Sequence, residues 1–222
     1  VQTLATGQQA LATVVRTEKA HQGVAYQRFL LDGPLALLPS TEANLSSVVW
    51  SQSPDAAARR QALGDAPFCA ELEAAIESRL GRIEATDDRL TFPLQQHVVA
   101  DFNPGPRVLL IGDAARVLHP LAGLGANVGF EDVRDLLAIV DRLPLAADLG
   151  APGIWRAFAR RRGVRARMMV TAMSAFRLGY AGSGPLQTWL RNRAVDWVDH
   201  MPLVKSQIIQ EALGLGPVAT GL

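Results

Sequence analysis

The sequence predicts an α+β fold, and three observations carry the expectation. The first fifty residues hold four short apolar stretches separated by turn residues. Two capped helical patterns follow between residues 53 and 81. The middle of the chain then reads as strand, glycine loop and helix before a largely helical remainder. We expect three parts: a sheet domain over residues 1–100, a ligand-holding segment over 101–145, and a helical region over 146–222.

Residues 8–18 and 24–31 read as neighbouring strands joined by the His21-Gln22-Gly23 turn. Gly33-Pro34 marks another turn, Leu35 opens a third strand, and Leu45 to Trp50 supplies a fourth. Together they suggest an antiparallel meander with one covered face. Arg28 is a charge inside an apolar-aromatic strand, so it is either ion-paired on a surface or aimed at a ligand. Ser53-Pro54-Asp55 has the chemistry of a helix start. A second helix is expected from Pro67 to Leu80, with Leu72, Ile76 and Leu80 on one face and Gly81 beyond its end. Glu71, Glu73 and Glu77 read as its solvated face, with no visible partner, and Cys69 as a small buried residue. Arg89 to Val99 returns to extended structure, with Pro93 disfavouring a central ladder position. His97 reads as a core or surface histidine.

Arg107 to Leu137 organises the chain. Val108 to Ile111 has the length and composition of a buried strand; Gly112 breaks it and Asp113 follows at its end, where open α/β sheets hold ligands. A loop with His119-Pro120, Gly123, Gly125 and Gly129 leads into a helix whose apolar positions include Val128, Val133, Leu136, Leu137 and Val140. Glycines admit close backbone approach, and a helix's first turn offers unpaired N–H groups to an electron-rich partner. A carboxylate at the strand end accepts hydroxyl hydrogen bonds and repels phosphate, so a polyol beside a ring carbonyl fits. A tight strand-to-helix connection with an exposed capping Asp fits the same pattern.

GDAARVLHPLAGLGANVGFED resembles the second flavin-contacting motif of the class A flavoprotein aromatic hydroxylases, the para-hydroxybenzoate hydroxylase fold. It is most similar to their ubiquinone-biosynthesis subfamily, whose usual form is GDAAHxxHPxxGQGxNxGxxD. Gly112, Asp113, Ala114, Ala115, His119, Pro120, Gly123, Gly125, Asn127, Gly129 and Asp132 match; Arg116 replaces the usual His and Leu124 the usual Gln. AYQRFLLDGPLALLP, VVWS and the Phe92-Pro93-Leu94 segment resemble that subfamily as well.

The resemblance implies a fragment of a two-domain FAD-binding fold, an antiparallel substrate-domain sheet plus a flavin-closing strand-loop-helix and C-terminal helices. It also implies a monooxygenase that uses FAD and NAD(P)H to hydroxylate a polyprenylated phenol in ubiquinone biosynthesis. Asp113, beside Gly112, would accept ribityl hydrogen bonds and Pro120 would lie beside the flavin ring. Gly123, Leu124, Gly125, Ala126 and Asn127 would present backbone N–H groups to it. Arg28, Pro93, Leu94 and Leu121 are the implied substrate contacts. His119 is expected near the flavin or in a structural hydrogen bond. No protein nucleophile and no metal is expected, because the cofactor carries the chemistry. Another FAD-dependent oxidoreductase of the same fold and a non-catalytic oligomerisation or interaction module are the alternatives.

No GxGxxG occurs, and Gly123, Gly125 and Gly129 have the wrong spacing for one. The family places such a turn upstream, so we expect the C-terminal part of a longer enzyme, inactive alone. Cys69 is the single cysteine, which excludes an intrachain disulfide and fits a reduced, cytoplasmic setting. Residues 1–150 carry 12 basic and 18 acidic side chains, and residues 151–222 carry 10 and 3. Arg156, Arg160, Arg161, Arg162, Arg165 and Arg167 open the long helix expected from Trp155 to Leu178. Those arginines either pair with the acidic half or dock on lipid headgroups or another subunit, the former placing the chain peripherally at an inner membrane surface. Two further helices, Leu186 to His200 and Val204 to Leu213, carry Trp189 and Trp197 and suit a core or a homo-oligomer or complex interface. Nucleic acid is not an expected partner, since stacking platforms and basic groove patterns are missing.

Overall fold

The computed structural model describes residues 2–119, 123, 125–180, 193, 201, 206 and 210. The chain divides into two compact units, Ala5–Leu94 and Val1–Leu4 with Gln95–Leu222. The expected α+β class holds in both.

In the first unit the sheet is built from β1 (Gln2–Thr17), β2 (Tyr26–Leu30), β3 (Gly33–Pro39), β4 (Leu45–Gln52), β5 (Ile83–Thr86) and the start of β6 (Leu90–Val98). The strand order β2-β3-β4-β1-β6, with β5 also on β1, corrects one expectation: β1 and β2 are not neighbours. β1 pairs antiparallel with β4, Leu11 opposite Trp50 and Thr13 opposite Val48. His21 N donates to Ala43 O, so the loop after β1 is tied to the β3–β4 connection and leads the chain to the far edge. The hairpin bend falls at Leu31-Asp32, one step before the expected turn. Gly33 and Pro34 already pair with Leu30 and Phe29. Gly33 has φ +144°, and a Cβ there would lie 2.5 Å from the Ser51 carbonyl oxygen.

One face of this sheet is covered, as the alternation implies. Leu11, Val15, Leu35, Leu37, Val48 and Trp50 meet Phe68, Cys69 and Leu72 of the overlying helix in one core. α1 (Pro54–Ala62) starts where expected, the Ser53 hydroxyl accepting from Ala56 N. α2 runs Asp65–Ala75, shorter than expected: Glu77 and Ser78 take positive φ and end it. Ile76 and Leu80 still reach the core from the following turns. The acidic residues here are partnered, against expectation. Arg59 grips Glu71 at 2.6 and 2.9 Å, Arg60 adds a 2.8 Å bond and lies over the Trp50 ring, and Glu73 accepts from Ile83 N. Arg59 holds the Glu71 carboxyl below its usual range. Pro93 does sit inside β6, but the pairs on the strand's far side involve only His97 and Val98, so it blocks no ladder there.

In the second unit β6 ends against β7 (Arg116–Val117), reached through the single turn α3 (Gly112–Ala115). α4 (Gly125–Val140) and α5 (Arg156–Tyr180) follow. Their core gathers Val99, Phe102, Ala115, Trp155, Phe158 and Ala166, with Leu109, Leu110 and Ile111 packed against it. The expected buried strand at Val108 to Ile111 is not one. Val108 is 48 % exposed and bridges only Gly105, while Leu110 N donates to Phe102 O. Ile111 has extended backbone, yet no strand among the described residues lies beside it. A ladder needs a neighbour, and the apolar pattern reports only one side of that requirement. The expected helices at 186–200 and 204–213 lie outside the described residues.

Candidate functional site

The candidate site is the α3 turn with the start of α4. Gly112 takes φ +56°, a conformation that a side chain disfavours, and Asp113 follows in the first turn of α3, exposed. Three ties hold the turn from below. Val99 N donates to Ala115 O, the His97 ring meets the Asp113 carbonyl at 3.2 Å, and Gly112 N donates to Asp132 of α4 at 2.9 Å. α3 packs on α4, where a Cβ at Gly129 would meet Gly112 Cα at an ordinary contact distance of 3.7 Å. Asp113 therefore sits, exposed, at an anchored corner that the Gly112 conformation turns.

α4 begins at Gly125, and Gly125, Ala126 and Asn127 are exposed, with no acidic residue in the first turn. Their N–H groups carry the positive end of a 16-residue helix. Gly123 has φ +62°, and among the described residues nothing stands within 4 Å of a Cβ built on Gly112, Gly123 or Gly125. Backbone hydrogen-bond donors and one accepting carboxylate are the groups that a flavin's electron-rich ring edge and ribityl hydroxyls call for. The residues fit that group. Pro120, Leu121 and Leu124 lie outside the described residues, and His119 before them is buried.

The remaining sequence-named residues stand elsewhere. Arg28 is ion-paired, the reading its setting left open: it donates to Ala75 O at 2.7 Å and pairs with Glu77 at 2.6 Å, closing the end of α2. Pro93 is exposed, whereas Leu94 is buried and its carbonyl accepts from the Thr6 hydroxyl.

Sequence reasoning missed what supports the corner. Asp132 is 0 % exposed and takes Arg116 at 2.6 Å and Arg162 Nε at 2.5 Å besides Gly112 N. Arg162 also bonds Glu131 at 3.0 Å and Val128 O at 3.0 Å; Arg165 reaches Glu131 at 3.2 Å. Arg116, the departure from the family pattern, bonds Val128 O at 2.5 Å as well. Three arginines and two carboxylates thus neutralise most of one another inside the unit, each with several hydrogen bonds. α4 turns Glu131 and Asp132 inward, while Phe130, Val133 and Leu137 face out. Of the expected apolar positions, Val128, Leu136 and Val140 pack inward, and Val133 and Leu137 do not. The available signal was the spacing of Arg162 and Arg165 on one helical face beside buried Phe158 and Ala166. It also settles two of the six arginines in favour of pairing with the acidic half.

Comparison with known proteins sets this geometry in a family. Residues 4–142 match the family model described as an FAD binding domain. Ubiquinone hydroxylase UbiL of Rhodospirillum rubrum is 33 % identical over 222 residues, covering 98 % of this chain and 51 % of that protein. The 3-demethoxyubiquinol 3-hydroxylase of Escherichia coli is 31 % identical over 213 residues, covering 94 % and 53 %. The chain spans about half the length of the curated relatives it matches. Among solved structures, p-nitrophenol 4-monooxygenase PnpA of Pseudomonas putida superposes with a TM-score of 0.65 at 18 % identity, covering 97 % of this chain and 54 % of that one. HpxO of Klebsiella pneumoniae, complexed with FAD and uric acid, gives 0.66 at 15 % identity, covering 98 % and 55 %.

Proposed function

We propose, for a chain that belongs to the FAD-binding-domain family of class A monooxygenases and is related to the ubiquinone-biosynthesis hydroxylases, that the whole protein hydroxylates the aromatic ring of a polyprenylated phenol with FAD, NAD(P)H and O₂. The observation that carries the reading is the anchored Gly112-Asp113 corner beside the open, donor-rich start of α4.

Bound FAD would supply the redox chemistry: two electrons from NAD(P)H and delivery of one oxygen atom from O₂ to the ring, the other leaving as water. This chain's residues would do the rest. Asp113 accepts hydrogen bonds from the ribityl hydroxyls. The N–H groups of Gly125 to Asn127 would be the donors offered to the electron-rich ring edge, where they would stabilise negative charge. Pro120 as the residue beside the flavin ring, Leu121 as a substrate contact and Leu124 as a backbone donor stay on the proposal from the resemblance alone, all three lying outside the described residues; Gly123 takes positive φ. In the sheet unit, β-sheet positions Phe29, Ala36, Leu38 and Val49 share the uncovered face and are half-exposed or exposed, which suits an apolar substrate. Pro93 and Leu94 stay on the proposal as substrate contacts; Arg28 stays only through its backbone, its guanidinium being committed to α2.

Two measurements on the intact protein test this. With NAD(P)H, ¹⁸O₂ and a polyprenylated phenol, mass spectrometry should find one ¹⁸O atom in the product. Reduced prenyl chains or halide-dependent products without ¹⁸O would replace the proposal with another flavin chemistry. Asp113→Ala should remove the yellow absorbance of the purified protein, and full retention would refute the role given to its carboxylate.

A further inference from the structure

α5 carries a second feature that the flavin reading does not use. A cleft of about 590 Å³ runs along its first turns, lined by Arg156, Arg160 and Arg167 and by Asn103, Pro106 and Gly153 of neighbouring loops. The three arginines are exposed, and no carboxylate among the described residues pairs with them. Gly163 lies between them, bare of a side chain, with the Arg167 guanidinium 3.5 Å from where its Cβ would be. Asp101 also lines the cleft, and its carboxylate accepts from Asn103 N at 2.8 Å. The cleft remains strongly cationic: three guanidiniums against one acid, at the positive end of a 25-residue helix.

The adjoining strip of α5 is apolar. Val164 and Met168, one turn apart, are 46 % and 53 % exposed, with exposed Ala157 two turns before Val164. Arg161 is exposed on the strip's other side. At helical spacing the outer face thus reads arginine, apolar strip, arginine. This is the pattern of a helix lying in a lipid–water boundary, with guanidiniums at the phosphates and the strip against the acyl chains. A soluble phosphate would need the cleft alone and would leave Val164 and Met168 without a role. No helix among the described residues is long and apolar enough to cross a membrane, so the contact is one of surface, not span.

We propose that the Arg156–Arg160–Arg167 cleft is a phosphate site occupied by the headgroup of an anionic phospholipid, with Val164 and Met168 resting on the apolar boundary beside it. The inference is independent of the proposed hydroxylation, and its test reads no activity.

The 222-residue chain is sedimented with vesicles of phosphatidylcholine alone and of phosphatidylcholine with phosphatidylglycerol. Binding is expected only with the anionic lipid and should fall steeply with added salt. Arg156→Gln, Arg160→Gln and Arg167→Gln together should weaken it about a hundredfold, from roughly 1 kcal/mol per basic residue at such a surface. Val164→Ser with Met168→Ser, at exposed positions, should weaken it severalfold with the arginines intact. Equal binding to both vesicles, or undiminished binding of a triple variant with unchanged circular dichroism, overturns the proposal. So does stabilisation of the chain by inorganic phosphate or pyrophosphate without vesicle binding, which would assign the cleft to a soluble ligand.

Discussion

Replacing Asp132 with Ala removes the carboxylate that joins the Gly112-Asp113 corner to α5. Its two oxygens accept from Gly112 N, Arg116 and Arg162, at 2.9, 2.6 and 2.5 Å. Arg116 and Arg162 are 3 % and 2 % exposed, so neither guanidinium can turn to water when its partner goes. Breaking a buried pair this way costs about 3–5 kcal/mol, chiefly through the stranded charge. Arg162 keeps Glu131 and Arg116 keeps Val128 O, which places the expected loss toward the low end, about 3 kcal/mol. For a chain of this length that is a drop in Tm of roughly 6–12 °C. Asp132→Asn preserves shape and one acceptor oxygen and should lose less. A variant carrying both Asp132→Ala and Arg116→Met should recover part of the loss, because one stranded charge disappears with its partner. Calorimetry gives the midpoints, and hydrogen exchange on the segment around Gly112 reports its freed N–H. Asp132→Ala within about 1 kcal/mol of the parent, with Gly112 still protected, would refute the network as drawn.

Other expectations follow from the sheet unit. Gly33→Ala forces a Cβ to 2.5 Å from the Ser51 carbonyl at a positive φ, so urea unfolding should show a loss of about 2 kcal/mol or more; a neutral substitution would dispute the approach of β3 to β4 at Ser51. Glu71 has its folded pKa lowered by Arg59, so its contribution is present above the unfolded carboxylate value of about 4.3 and fades as pH falls through the lower folded value. Glu71→Gln should therefore flatten the acid limb of a Tm-versus-pH curve, and an unchanged slope would remove Glu71 from acid stability. Burial raises the Cys69 thiol above its usual range, and the folded chain should react slowly with a thiol reagent at neutral pH. Rapid labelling would mean that α2 does not cover the sheet as described.

Much of this was legible in local chemistry. Ser53 with Pro54 announces α1, and the alternation from Leu45 to Trp50 gives β4 its covered face, because both signals act within a few residues. The glycines at 112 and 123 were readable for the same reason: each takes a positive φ at its own position. Illegible features depended on distant partners. Strand order placed β4, not β2, beside β1, and a turn between consecutive strands does not encode that choice. Val108 to Ile111 has a strand's composition without a neighbouring strand among the described residues. Glu131 and Asp132 look solvated until Arg162 and Arg165, thirty-odd residues later, make them interior groups.

The inward charges of α4 also bear on how this unit assembles. A helix that hides carboxylates cannot shed their water early against an apolar nucleus, since a bare acid costs too much there. Asp132 has Arg116 beside it, but Glu131 becomes buriable only when α5 delivers Arg162 and Arg165. Docking of the two helices is then expected to be late and concerted, so truncating the chain before Arg162 should leave α4 hydrated. Pulsed hydrogen exchange during refolding would read this directly, and early protection of 125–140 ahead of α5 would count against it.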